Sequence, residues 1–147
     1  MTVVVRPLAP DERAEWEPRW LAYLKFYKTE LPSEVTDNTW ARLHDPDEPL
    51  FVLGAYIDGK LVGIAQYLFH RTNWSISDVC YLQDLFVDPE ARGHGIGRAL
   101  IDAVADKARE AGASRLYWMT HETNTTARTL YDRLADRSGF IQYRKVL

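Results

Sequence analysis

Cysteine is nearly absent from this chain. Cys80 is the one example, so no intrachain disulfide can form, and the usage fits a reducing compartment. No apolar run approaches the about 18 residues that a membrane span needs. The N-terminal segment Met1 to Pro7 lacks the charge-then-apolar layout of a signal peptide, so a cytoplasmic protein with no membrane partner is expected. A large excess of positive charge is missing as well. The formal net charge is -3, which argues against a nucleic-acid-coating surface. No cluster of His, Cys, Asp and Glu has metal-ligand spacing, and no metal is expected. Internal repeats, low-complexity tracts and linkers are also lacking, so residues 1–147 are read as a single domain. What remains is an ordinary globular balance, 46% hydrophobic and 27% charged.

Secondary structure follows from periodicity. Thr2 to Val5 are β-branched and halt at Pro7, a short first strand. Trp16, Trp20, Leu21, Leu24 and Tyr27 recur at helical steps behind a possible Asp11 cap, with Pro18 marking a second start or a kink. Ser33 is placed to cap a second helix carrying Val35, Trp40 and Leu43. Phe51–Ile57 and Leu61–Phe69 are apolar runs joined by Asp58-Gly59, a strong hairpin signal. Val79 to Val87 is a third long strand. On it, alternation puts Tyr81, Gln83, Leu85 and Val87 on one face and Leu82, Asp84 and Phe86 on the other. Ile96, Leu100, Ile101, Val104 and Ala108 form the stripe of an amphipathic helix closed by Gly112. Ser114 to Thr120 is predicted as a strand. A helix capped by Thr123 or Asn124 follows, and Gly139 to Val146 is predicted to close the chain as a final strand. The fold class is α/β (α+β), a mostly antiparallel mixed sheet with helices on both faces.

The segment Tyr81 to Arg98 runs from that third strand into a glycine-rich loop and then into a helix. Glycines 93, 95 and 97 let backbone amides approach a ligand closely, and the helix adds unpaired N–H groups and the positive end of its dipole. Such a loop suits a phosphate-bearing ligand. The nucleotide P-loop is excluded, because Gly97 is followed by Arg98-Ala99 rather than Lys-Ser or Lys-Thr. The dinucleotide fingerprint fails too: Arg98 stands where its third glycine belongs.

A third pattern matches. Arg92-Gly93-His94-Gly95-Ile96-Gly97 resembles the Arg/Gln-x-x-Gly-x-Gly/Ala loop of the GNAT superfamily of N-acetyltransferases. Leu85-Phe86-Val87-Asp88-Pro89 resembles that family's central strand and its exit. Asn124-Thr125-Thr126-Ala127-Arg128-Thr129-Leu130-Tyr131, followed by Gly139-Phe140, resembles its Asn-x-x-Ala-x-x-Leu-Tyr segment. The likeness extends over essentially the whole chain and implies the GNAT fold with acetyl-coenzyme A as cosubstrate. Within the family, the aromatic first helix and Gln83-Asp84 resemble the polyamine and histone-acetyltransferase-like branch. That branch tends to carry two acidic residues at this pair, and here Gln83 replaces the first.

The resemblance implies roles residue by residue. Arg92, Gly93, His94, Gly95, Ile96, Gly97 and Arg98 would hold the cosubstrate pyrophosphate, mainly through main-chain amides. His94 fills the variable slot and receives no chemistry of its own. The main chain of Leu85, Phe86 and Val87 would pair with the pantetheine arm as an added strand does. Asn124 is either a cosubstrate contact or a plain helix cap. Tyr131 is the expected general acid for the departing thiolate. Asp84, a carboxylate set among apolar neighbours, would act as base through water or hold the acceptor's positive charge. Glu30 and His121 are weaker candidates for the base. Cys80, a lone strand cysteine, is not expected to be a nucleophile. The expected function is direct acetyl transfer to the primary amine of a small molecule or a protein lysine, in a homodimer. The alternative is a non-catalytic acyl-coenzyme A sensor or interaction module on the same fold.

Overall fold

The computed structural model describes residues 2–147. Five strands, β1 (Val3–Pro7), β2 (Leu50–Ile57), β3 (Lys60–His70), β4 (Val79–Val87) and β5 (Leu116–Tyr117), form one sheet in sequential order. The first four are antiparallel, while β5 joins β4 in parallel. The mixed sheet expected from the sequence is therefore present. Asp58 and Gly59 both take positive φ, 50° and 78°, as the tight β2–β3 hairpin requires.

Two helices cover each face. α1 (Arg13–Phe26) and α2 (Ser33–Leu43) lie on one side, where Trp16, Trp20, Leu24 and Trp40 pack on Val52, Ile64 and Phe86. α1 is continuous through Pro18. Its N-cap position is held by Glu12 rather than Asp11, and α2 begins at Ser33 behind Pro32, so neither expected side-chain cap forms. On the other side α3 (Ile96–Glu110) presses Ile96, Leu100, Ile101 and Val104 against Leu53, Ala55, Val62, Ala65 and Leu82. It ends as its sequence indicates: Gly112 adopts φ 76° and the Ala113 amide donates back to the Ala108 carbonyl at 2.9 Å. α4 (Thr125–Leu134) leans Leu130, Tyr131 and Leu134 on the same side.

Three sequence expectations are corrected. The strand over 114–120 shrinks to Leu116–Tyr117, which pair only with Cys80 and Tyr81. Residues 139–146 form no strand at all; they have no regular secondary structure and are exposed. A strand needs a neighbour for its amides and carbonyls, and so short a β5 offers almost no edge. Finally, Gln66 pairs with Asp84 and Tyr67 with Leu82, which leaves Gln83 as an extra residue bulged out of β4. The bulge resets the alternation. Leu82 faces the α3 side with Cys80, whereas Phe86 faces α1, so the two do not share a face.

Candidate active site

β4 and β5 part company just where the bulge begins. Past Tyr81, β4 has β3 on one edge and, among the described residues, no strand on the other. The main chain from Gln83 to Val87 therefore lacks a strand partner there, and only side chains, Tyr23 at Gln83 and Arg92 at Val87, reach its carbonyls. The parting is held at its base by Tyr81 and Tyr117, whose rings stack 4.7 Å apart at 6°. Into the fork opens a cleft lined by Tyr23 and Tyr27 of α1, Leu82, Gln83 and Leu85 of β4, Trp118 and Met119 beyond β5, and Tyr131 of α4. Tyr131 meets Trp118 edge-on at 5.5 Å. Burial pushes its phenol up to about 12, so it stays protonated over the physiological range.

Asp84 sits one residue beyond the bulge, on the α1 side and nearly buried. Gln66 of β3 donates to its Oδ2 at 2.9 Å. Burial raises the Asp84 pKa above the ordinary carboxylate range, and the bond from Gln66 opposes that rise. Among the described residues no lysine, arginine or histidine forms an ion pair with it. The phenol of Tyr23 is raised by burial and then by the Asp84 charge, while its hydroxyl donates to the Gln83 carbonyl at 3.3 Å. This is a buried negative group with aromatic neighbours and no cation of its own. A substrate ammonium would supply one.

At the far end of β4 the chain makes a single 3-10 turn (Pro89–Ala91) and enters the glycine loop. Gly93 and Gly95 hold φ of 82° and 76°, values that an L side chain rarely adopts. The first backbone bond of the helix start runs from the Ala99 amide to the Gly95 carbonyl at 3.0 Å. Among the described residues, no backbone carbonyl takes the amides from Gly93 to Arg98. Six main-chain donors therefore crowd an exposed loop at the positive end of α3, which suits a pyrophosphate. Arg92 is turned back: its Nε donates to the Val87 carbonyl at 3.1 Å and its guanidinium carbon lies 5.8 Å from the Phe86 ring centre. Arg98 pairs loosely with Asp102 at 3.8 Å, and His94 is exposed.

The remaining candidates separate. Asn124 holds the N-cap position of α4 without a capping bond; its amide donates to Thr120 Oγ1 at 3.1 Å. The His121 ring lies 5.5 Å from Tyr27 beside the cleft but is exposed, and Glu30 is exposed beyond the end of α1. Cys80 is buried, and burial pushes its thiol up to about 11, which leaves it unreactive. Gln66 went unnoticed at the sequence level. Its signal was a lone amide in the apolar run Leu61–Phe69.

A family model, the acetyltransferase (GNAT) family, matches residues 9–135. The chain belongs to that family. It is accordingly an acetyl-coenzyme A-dependent N-acetyltransferase. A D-amino-acid N-acetyltransferase of Saccharomyces cerevisiae is 36% identical over 145 residues, 97% of this chain and 90% of the relative. A thialysine N-epsilon-acetyltransferase of Bos taurus is 38% identical over 74 residues, 50% of this chain and 43% of the relative. Among solved structures, the aminoglycoside N-acetyltransferase AAC(6')-Iy with a coenzyme A bisubstrate analogue shares the fold at TM-score 0.84. It is 21% identical, and the match covers 100% of both chains.

Proposed function

We propose that this GNAT enzyme acetylates the amine of a small amino-acid-like or polyamine-like molecule, by direct attack within a ternary complex. The observation that carries the reading is the forked cleft, with a protonated Tyr131 in its wall and the unpaired carboxylate of Asp84 beside it. The amides of Gly93 to Arg98 would bind the pyrophosphate, and Arg92 would add charge from the loop's edge. The open main chain of Leu85 to Val87 would align the pantetheine arm by strand-like pairing, and Asn124 would contact the cosubstrate near the start of α4. The acceptor nitrogen, freed of a proton, attacks the thioester carbon; the C–N bond forms and the C–S bond breaks.

Asp84 attracts the ammonium and takes or relays its proton. Tyr131 donates toward the departing sulfur. Its pKa of about 12 lies some three units above that of an ordinary thiol, so its donation stabilises the breaking bond rather than running far ahead of it. The substrates named for the yeast and bovine relatives support a small-molecule acceptor over a protein lysine. The reading includes a cytoplasmic homodimer; exposed Phe140, Ile141 and Tyr143 support self-association, which light scattering measures.

The test is a panel of D-amino acids, L-ornithine, thialysine and spermidine, scored by release of the coenzyme A thiol. Turnover of at least one amine is expected, with Tyr131→Phe lowering kcat by about 10- to 100-fold and leaving the KM for acetyl-coenzyme A nearly unchanged. Binding of acetyl-coenzyme A by calorimetry with no thiol release for any amine would favour the sensor alternative.

A further inference from the structure

Asp84 is reached from the core by a buried polar relay that crosses three elements. Trp16 of α1 donates its indole Nε1–H to Gln66 Oε1 at 2.6 Å, and Gln66 Nε2 donates to Asp84 Oδ2 at 2.9 Å. The three residues are 0%, 4% and 8% exposed, so water does not substitute for either bond. An indole can only donate. It therefore dictates which end of the Gln66 amide faces it and leaves the NH2 end for Asp84. Packing restrains Trp16 in turn, since its ring lies 4.8 Å from Trp40 and 6.0 Å from Trp20.

We propose that Gln66 is a positioning residue for acetyl transfer: locked by Trp16 in one amide orientation, it fixes the plane of the Asp84 carboxylate for the incoming amine. The inference rests on the reading of Asp84 as the group that meets the acceptor, and it extends that reading into the core. A carboxylate held by one obligate donor has one oxygen engaged toward β3. Its remaining lone pairs are left for an acceptor, and Tyr23, Tyr27 and Tyr81 are the titratable groups whose phenols feel its charge. The amide offers only N–H, so it favours the carboxylate over the carboxylic acid and offsets part of the burial that works the other way. Hydrogen-bonding to a charged group shifts its protonation by about one to two pH units.

Carbon-13 carboxyl resonances of aspartate-labelled protein, with Asp84 assigned by its loss in Asp84→Asn, follow this directly. In Gln66→Met, which keeps the length and removes the donor, the Asp84 midpoint is expected to rise by about one pH unit or more. Trp16→Phe leaves Gln66 in place but unlocks it, and a smaller rise is expected. In both variants the KM for the amine should increase about tenfold, with acetyl-coenzyme A affinity unchanged. The pH limb of kcat/KM should move with the midpoint. If both variants bind acetyl-coenzyme A normally and the Asp84 midpoint does not move, the positioning role is wrong. Full activity of Asp84→Asn would instead overturn the reading of Asp84 itself, leaving the titration to judge the relay.

Discussion

A carboxylate that a protein buries without a cation costs stability wherever it is ionised. Asp84 is such a group, its pKa raised above the ordinary range by burial against the opposing bond from Gln66. Because the folded state binds this proton more readily than the unfolded chain, stability contributed by Asp84 is present below the unfolded pKa near 3.8. It is lost as pH rises through the folded value. Asp84→Asn keeps an oxygen for the Gln66 N–H and removes the charge. At pH 7 the variant is expected to be more stable than the parent by about 1 to 2 kcal/mol, an advantage that disappears below pH 4. Amine turnover should drop by about 100-fold or more. Denaturant unfolding at the two pH values checks the sign; a variant less stable at pH 7 would refute it.

The elements differ in how plainly their sequences declare them. α3 was legible to within its cap because its apolar stripe, its preceding glycines and Gly112 agree with one another. β4 was found but its faces were not, because a bulge adds one residue without changing composition; only the pairing of Gln66 with Asp84 reveals it. The fork depends on that bulge and on a two-residue β5, so the cleft itself could not be read from the chain. The glycine loop permits a test at this scale. Gly95 and Gly59 share nearly the same φ, 76° and 78°, and an added Cβ would meet nothing within 4 Å at either place. Alanine at each position therefore carries the same backbone strain, about 1 kcal/mol. Gly95→Ala is expected to weaken acetyl-coenzyme A binding by about tenfold as its amides are displaced, while Gly59→Ala leaves affinity unchanged. Calorimetry on the two variants separates strain at the cradle from strain in a remote turn.

Across the whole molecule, the site is assembled from α1, β3, β4, the glycine loop with the start of α3, the segment beyond β5, and α4, whereas each motif legible in the sequence lies within one or two of these. That is why Tyr131, the loop and the aromatic first helix could be singled out from neighbouring residues, while Gln66 acquired a role only when the sheet brought it beside Asp84. A second carboxylate, just before the first residue of α1, has the reverse pH behaviour. Glu12, at the head of α1, accepts from Arg6 of β1 at 2.7 Å, from the Ala9 amide at 2.7 Å and from Tyr56 of β2 at 2.8 Å. The Arg6 bond first, with the Ala9 amide and Tyr56 adding to it, holds Glu12 down to about 2 against an ordinary 4.5. Its stabilisation is complete above pH 4.5 and is lost as pH falls toward 2. Arg6 is half exposed, so solvent screening limits the contribution to about 1 to 2 kcal/mol. Glu12→Gln is expected to be less stable than the parent by that amount at pH 7 and indistinguishable from it near pH 2. Measured by urea unfolding across that range, a gap that stays constant with pH would show that the carboxylate charge is not what ties β1 and β2 to the start of α1.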